Sequence, residues 1–271
     1  MRQKTENIYL CQVNETLSCG ACCGLYNLPD PSFHVLTRIL ARRAALFADL
    51  PRDMESILEF GEKEKGLMGR LPMAEFHHCP YLGLIGPEKN RVGCLLHPLG
   101  DGNRGVDYRG LSHYGSMTCQ MYFCPTHGRI PSYLKILLCN IIEDWHVFGL
   151  IVPETDLLAA IDKQIRARVS IININIEKTL ERKNRRLWQN MLTLKCDWPY
   201  READRPWANY FFNDVLYAKP SVDYGKTGQT SSRYDKLFRE LHSVFNSPAA
   251  LTRAETFMDR LFDDLAGTIG V

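Results

Sequence analysis

The spacing of apolar residues divides the chain into two unlike stretches. After Pro131, hydrophobic positions recur with a helical period. Leu134, Leu137, Leu138, Ile141, Ile142 and Trp145 share one face of a helix that Ser132 should cap and Gly149 should end. Leu157, Leu158, Ile161, Ile165 and Val169 predict a second helix, and Leu237, Phe238, Leu241, Val244 and Phe245 a further one. Thr252 and Glu255 form a capping box ahead of Phe257, Met258, Leu261, Phe262 and Leu265. "SIININI" alternates briefly and fits either a strand or the start of a helix. "KPSVDYGKTGQTSS" reads as a polar surface loop.

The amino-terminal stretch is patterned differently. "DPSFHVLTRILARRAALFADL" carries a helical stripe of Leu36, Ile39, Leu40, Ala44 and Phe47, with Asp30 as cap and Pro31 in the first helical position. Asp53 should open a shorter helix through Phe60, stopped at Gly61. Between residues 79 and 124 glycine is frequent and no helical period is sustained. Long loops of this kind need something to hold them. The expected fold is therefore mostly α. A loop-rich cysteine-cluster module with inserted helices, residues 1–130, should be followed by a helical bundle, residues 131–271, packing on it.

Composition narrows the class. Of 271 residues, 45% are hydrophobic and 24% charged, with a formal net charge of +2. This is ordinary globular composition, with no strong basic excess to favour nucleic acid or a membrane surface. The opening "MRQKTENIYLCQ" is polar and lacks a signal-peptide core. The run "LKILLCNIIEDWHVFGLIV" contains Lys135, Glu143 and Asp144, which a spanning helix rarely carries. A cytoplasmic chain without a membrane segment is expected. In a reducing compartment, clustered cysteines more often mean metal or catalysis than disulfides.

Seven of the 10 cysteines are spaced as a set: Cys19, Cys22, Cys23, Cys79, Cys94, Cys119 and Cys124. Cys19 and Cys22 make a C-x2-C step that lets two sulfurs converge on one ion, with Gly20 easing the turn. Cys94–His97 and Cys124–His127 repeat the step with histidine. The vicinal Cys22 and Cys23 point apart in most backbone conformations, which suits two metals or two corners of a cluster. Pro80 and Pro125 follow Cys79 and Cys124, a step that also closes ferredoxin cysteine runs. The C-x2-C and C-x2-H steps favour zinc, the Cys-Pro steps an iron–sulfur cluster, and both stay open. Cys139, inside an apolar helical stripe, reads as core, and Cys196 as structural.

The ordered set "CGACCG", "CPYLG", "GCLLHP" and "CQMYFC" resembles the YkgJ-type cysteine-cluster family of zinc- or iron-chelating proteins, over about residues 11 to 127. The resemblance implies that Cys19, Cys22, Cys23, Cys79, Cys94, Cys119 and Cys124 are metal ligands. The family's first cysteine falls at Thr16, which has no thiol, and Cys11 stands five residues upstream as a substitute. The ligand count is then seven or eight. Flagellin lysine N-methylases look similar in carrying a clustered-cysteine region, which makes methyl transfer to a protein lysine the enzymatic alternative. No donor-binding motif is recognisable, and no C-x3-C-x2-C occurs.

Other signals are weaker. "GDGNRG" matches G-x-G-x-x-G, but no helix pattern follows it, so it reads as a turn-rich loop. "CGAC" lacks the βαβ setting of a disulfide exchanger. His77 or His78 could support the neighbouring Cys79, while His34, His146 and His242 read as ordinary helix residues. The basic run "EKTLERKNRRLWQ" reads as a solvated helix face with Glu177 and Glu181 in i, i+4 pairs. Nucleic acid is not an expected partner, and a protein partner on the helical half is the remaining expectation.

Overall fold

The structure, a computed structural model, describes residues 8–73, 76–169, 175–205, 207 and 221–269. It is mostly α, with one small sheet among the described residues. No described helix is long and apolar enough to cross a membrane.

In the amino-terminal part, α1 spans Phe33–Ala48 and α2 spans Met54–Gly66. α1 starts two residues later than the Asp30–Pro31 signal indicates. Ser32 is extended, and the Asp30 carboxylate accepts from the Ser32 N–H instead of capping the helix. Asp53 does cap α2, accepting from the Ser56 N–H at 2.8 Å. Gly61 does not stop α2. The Tyr81 hydroxyl lies over it, donating to the Ile57 carbonyl, and a Cβ on Gly61 would sit 2.2 Å from that oxygen. The glycine serves close packing rather than termination.

Strands β1 (Leu82–Ile85) and β2 (Arg91–Cys94) form an antiparallel hairpin with Leu82 opposite Cys94. Leu36, Leu40 and Phe47 of α1 share one core with Ile57 and Phe60 of α2 and with Leu82, Leu84 and Val92 of the hairpin. Short helices α3 (Gly115–Met121) and α4 (Thr126–Arg129) follow.

The long helix expected after Pro131 is two helices, α5 (Ser132–Ile141) and α6 (Trp145–Ile151). The chain turns extended at Ile142, and Asp144 restarts the helix by accepting from the Val147 N–H. Ser132 is the first helical residue, with Pro131 at the cap position. Gly149 sits within α6, under the Tyr26 ring. α6 faces two cores: Trp145 and Leu150 join the amino-terminal one, Phe148 and Ile151 the helical one.

Next come α7 (Thr155–Arg168), α8 (Ile176–Thr179), α9 (Arg182–Leu192), α10 (Leu194–Asp197), α11 (Asp235–Glu240) and α12 (Pro248–Ile269). Most of "SIININI" lies outside the described residues; its last residue, Ile176, opens α8. α11 ends before Leu241, leaving Val244 exposed and Phe245 buried beyond it. Thr252 and Glu255 lie inside α12, where Thr252 donates to the Pro248 carbonyl and Glu255 accepts from Ser232, so they make no capping box. In the loop before α11, Tyr224 and Thr227 are buried, so it is not wholly a surface loop. In the basic run, Glu181 pairs with Lys183, and Arg185 reaches Glu143. The helical core closes around Trp188, whose indole N–H donates to Thr268 of α12 at 3.0 Å. A wholly buried ion pair, Lys195–Glu154, ties α10 to the start of α7.

Candidate metal centre

The first cysteines are brought together by a tight loop. Asn14 accepts from the Thr16 and Leu17 N–H groups, and Gln12 bridges Ser18. The Cys19 N–H then donates to the Cys11 carbonyl at 2.8 Å, while Thr16 sits exposed at the loop tip. Cys11, absent from the set of seven, thus lies beside Cys19. Its sulfur is 3.6 Å from His127 Nε2.

Cys22 and Cys23 belong to a single 3-10 turn, Ala21–Cys23, ended by Gly24 at φ +75. A Cβ on Gly24 would lie 1.9 Å from the His77 carbonyl oxygen, so glycine is required both for its dihedral and for the close approach. Gly20, by contrast, has an ordinary negative φ; it makes room for Val92 and Leu25. Two bonds hold this turn against the next cysteine. The Cys79 N–H donates to the Cys23 carbonyl at 2.8 Å, and His78 Nδ1 donates to the Gly24 carbonyl at 2.7 Å. His78 Nε2 receives Arg43 Nη1 at 2.9 Å. A carbonyl can only accept and a guanidinium can only donate, so this pair fixes one neutral tautomer. Burial, with Arg43 adjoining, holds His78 down at about 3.

Cys79 leads directly into β1, and the Leu95 N–H donates to the Tyr81 carbonyl. Cys94, at the end of β2, therefore lies at the same end of the hairpin as Cys79. Cys119 projects from α3, its sulfur 3.2 Å from Ser112 Oγ. Cys124 precedes α4, and its carbonyl accepts from the His127 N–H.

Cys19, Cys22, Cys23, Cys79, Cys94, Cys119 and Cys11 all line one cavity of about 930 Å³. Cys124 lines a small adjoining cavity of about 20 Å³ with Cys11, Cys19 and Cys22. Burial pushes Cys11 and Cys79 up to about 12 and Cys94 to about 11, and neighbouring thiols add to each rise. Cys19 and Cys124 are raised mainly by burial. A hydrogen bond between the vicinal thiols lowers Cys22 and raises Cys23. Thiols side by side are costly to ionise together, and as soft donors they are the groups here that could hold a thiophilic cation. Among the described residues, no three His, Cys, Asp or Glu side chains yet lie close enough to share one ion. A single torsion places each cysteine sulfur, so a change of rotamer moves it without moving the backbone.

Cys139 and Cys196 stand outside the group. Burial alone lifts Cys139 to about 12, and Cys196 packs between the two cores. His97 lines the large cavity, its Nδ1 accepting from the Leu99 N–H. His77 stacks on His113 at 4.2 Å, and burial, then His113, lowers it to about 4. His34 and His146 are helical as expected; His242 is not, since it follows α11 at φ 54. Tyr114, Tyr122, Phe123, Arg109 and Gln120, which no sequence motif marks, also line the cavity. Arg109 pairs with Asp107, which also accepts from Gln120, beside Cys94 and Cys119. "GDGNRG" forms turns around the buried Asn103, whose amide donates to the Leu95 and His97 carbonyls.

The arrangement defines a class of site, a wall of mostly half-buried thiols beside a large cavity. No protein-family model, characterised protein or solved structure matches the chain.

Proposed function

We propose that this chain is a metal-binding protein that holds zinc or an iron–sulfur cluster through clustered cysteine thiolates. The observation that supports this reading is the gathering of eight thiols, from stretches as far apart as Cys11 and Cys124, along two adjoining cavities. Cys139 and Cys196, the two remaining cysteines, take no part in it. The bound group would tie the cysteine-bearing segments together, and would supply a closed structural centre as zinc or a redox centre as iron–sulfur. A reducing compartment such as the cytoplasm would keep these thiols free.

The test is anaerobic purification followed by elemental analysis and a visible spectrum. Zinc gives a colourless protein that loses structure on chelation. An iron–sulfur centre gives a brown protein bleached by reductant. Metal-free protein that takes up neither ion would overturn the reading.

The size of the large cavity supports a second reading, an iron–sulfur enzyme related to flagellin lysine N-methylases that transfers a methyl group to a protein lysine. Tyr114, Tyr122, Phe123 and Arg109 leave room beside the thiols for a substrate side chain. Binding of a methyl donor by the iron-loaded protein is its test.

A further inference from the structure

Resting on the metal-binding reading, we infer that the eight thiols are not one cluster but two separate four-cysteine sites. The inner site is Cys11, Cys19, Cys22 and Cys124; the outer site is Cys23, Cys79, Cys94 and Cys119. The vicinal pair sends one thiol to each. The inner site takes a single thiophilic ion of the zinc type. The outer site takes its metal group at the wall of the large cavity.

Backbone connections carry the division. Cys19 is bonded to Cys11, and His127, three residues after Cys124, touches the Cys11 sulfur. These three cysteines and Cys22 line the small cavity, together with the apolar Leu10, Val152 and Pro153. Cys23 is bonded to Cys79, which shares the hairpin end with Cys94. Cys23, Cys79, Cys94 and Cys119 line the large cavity and not the small one. Cys11, Cys19 and Cys22 line both and form the partition between them.

Volume distinguishes the two occupants. A space of about 20 Å³ holds little more than one water-sized sphere, roughly 10–15 Å³, which admits one ion and excludes a multi-iron cluster. Four thiolates around a space of this size are the donor set of a structural zinc site. The outer four open on about 930 Å³, enough for a cluster or for an ion with a further ligand.

The experiment uses the full chain, reduced and stripped of metal, titrated with zinc and labelled at each step with N-ethylmaleimide. Intact mass and peptide mapping read the labelled cysteines. Two sites predict discrete species with ten, six and two labelled thiols, the last two being Cys139 and Cys196. In the six-labelled species, protection falls on one complete set of four, never on Cys22 and Cys23 together. Passage straight from ten to two or three labels, or a species protecting both vicinal thiols with two others, overturns the division and leaves metal binding standing. Ten labels at every zinc concentration overturn both. As a second measurement, Cys124→Ser and Cys119→Ser should each halve the bound zinc while the opposite set stays protected. Complete zinc loss from either folded variant, checked by circular dichroism, contradicts two sites.

Discussion

Gly149 offers a sharp test of how the cysteine turn is anchored to the helical half. Tyr26 lies three residues after Cys23 and is almost fully buried, with its hydroxyl donating to the His146 carbonyl at 2.8 Å. The ring passes over Gly149 so closely that a Cβ there would meet the hydroxyl oxygen at 2.2 Å and Cζ and Cε2 at 3.0 Å. Gly149→Ala is therefore an overpacking substitution, which costs about 1–3 kcal/mol. Alanine in a helix interior returns about 1 kcal/mol relative to glycine. The crowding atoms belong to a buried, hydrogen-bonded ring and not to a flexible chain end, so the clash sits in the upper part of its range and wins, by up to about 2 kcal/mol. If the ring swings away to relieve it, the Tyr26 hydroxyl loses its bond to the His146 carbonyl, at a cost of about 1 kcal/mol.

The assay is urea denaturation of reduced protein, following tryptophan fluorescence. Gly149→Ala should lower the midpoint, and Tyr26→Phe should lower it by about 1 kcal/mol through the lost hydrogen bond. The double variant should be less destabilised than the two effects combined, by about 1 kcal/mol, because removing the hydroxyl removes the 2.2 Å contact. A Gly149→Ala protein as stable as the parent, or more stable, would mean that helix propensity decides the position. Strict additivity would mean that Tyr26 and Gly149 do not touch. Either result refutes the docking described above.

Three further outcomes are expected. Glu64 accepts from Arg42 and from the wholly buried Arg43, so Glu64→Ala should strand the Arg43 charge and cost about 3–5 kcal/mol in the same urea assay, with Glu64→Gln milder. Cys139→Ala should leave metal content unchanged and should flatten the alkaline loss of stability. Burial raises this thiol to about 12, so above pH 9 the unfolded chain carries fewer protons than the folded one and stability falls as pH rises toward 12; equal midpoints for parent and variant at every pH would contradict it. Zinc affinity, measured against a chromophoric chelator, should fall steeply as pH is lowered from 8 to 6, since buried thiols hold their protons until the metal expels them. A flat profile would exclude thiolate ligation.

What the linear chain revealed, and what it concealed, follows from how local each signal is. The stripes of α1, α7 and α12 were legible because burial of one face imposes a period on neighbouring residues. Helix ends were less so. Glycine marks either a stop or a close approach, and Gly61 and Gly149 are both of the second kind, under Tyr81 and Tyr26. Those tyrosines are twenty residues away in one case and more than a hundred in the other, so no local pattern tells the two uses apart. Asp144 is the reverse case. Its capping chemistry was present in "EDWHV", but an unbroken apolar stripe on either side outweighed it.

The same distinction explains why Cys11 was the cysteine hardest to place. Cys19, Cys22 and Cys23 announce themselves by spacing, because a short turn must present several sulfurs at once. Cys11 reaches them through a loop whose closure depends on Asn14 holding the Thr16 and Leu17 amides, and on the Gln12–Ser18 bridge. Those interactions carry no cysteine signature. Thr16, where the resemblance to the cysteine-cluster family looks for a ligand, is carried to the exposed tip by the same loop. Shortening that loop should therefore do what no conservative change at Thr16 does. Deleting Glu15 and Thr16 would break the Asn14 bonds and part Cys11 from Cys19, and the zinc lost should be the inner site's alone. Thr16→Ala should leave both sites filled. Zinc loss from the outer set after the deletion would show instead that the loop supports the whole wall.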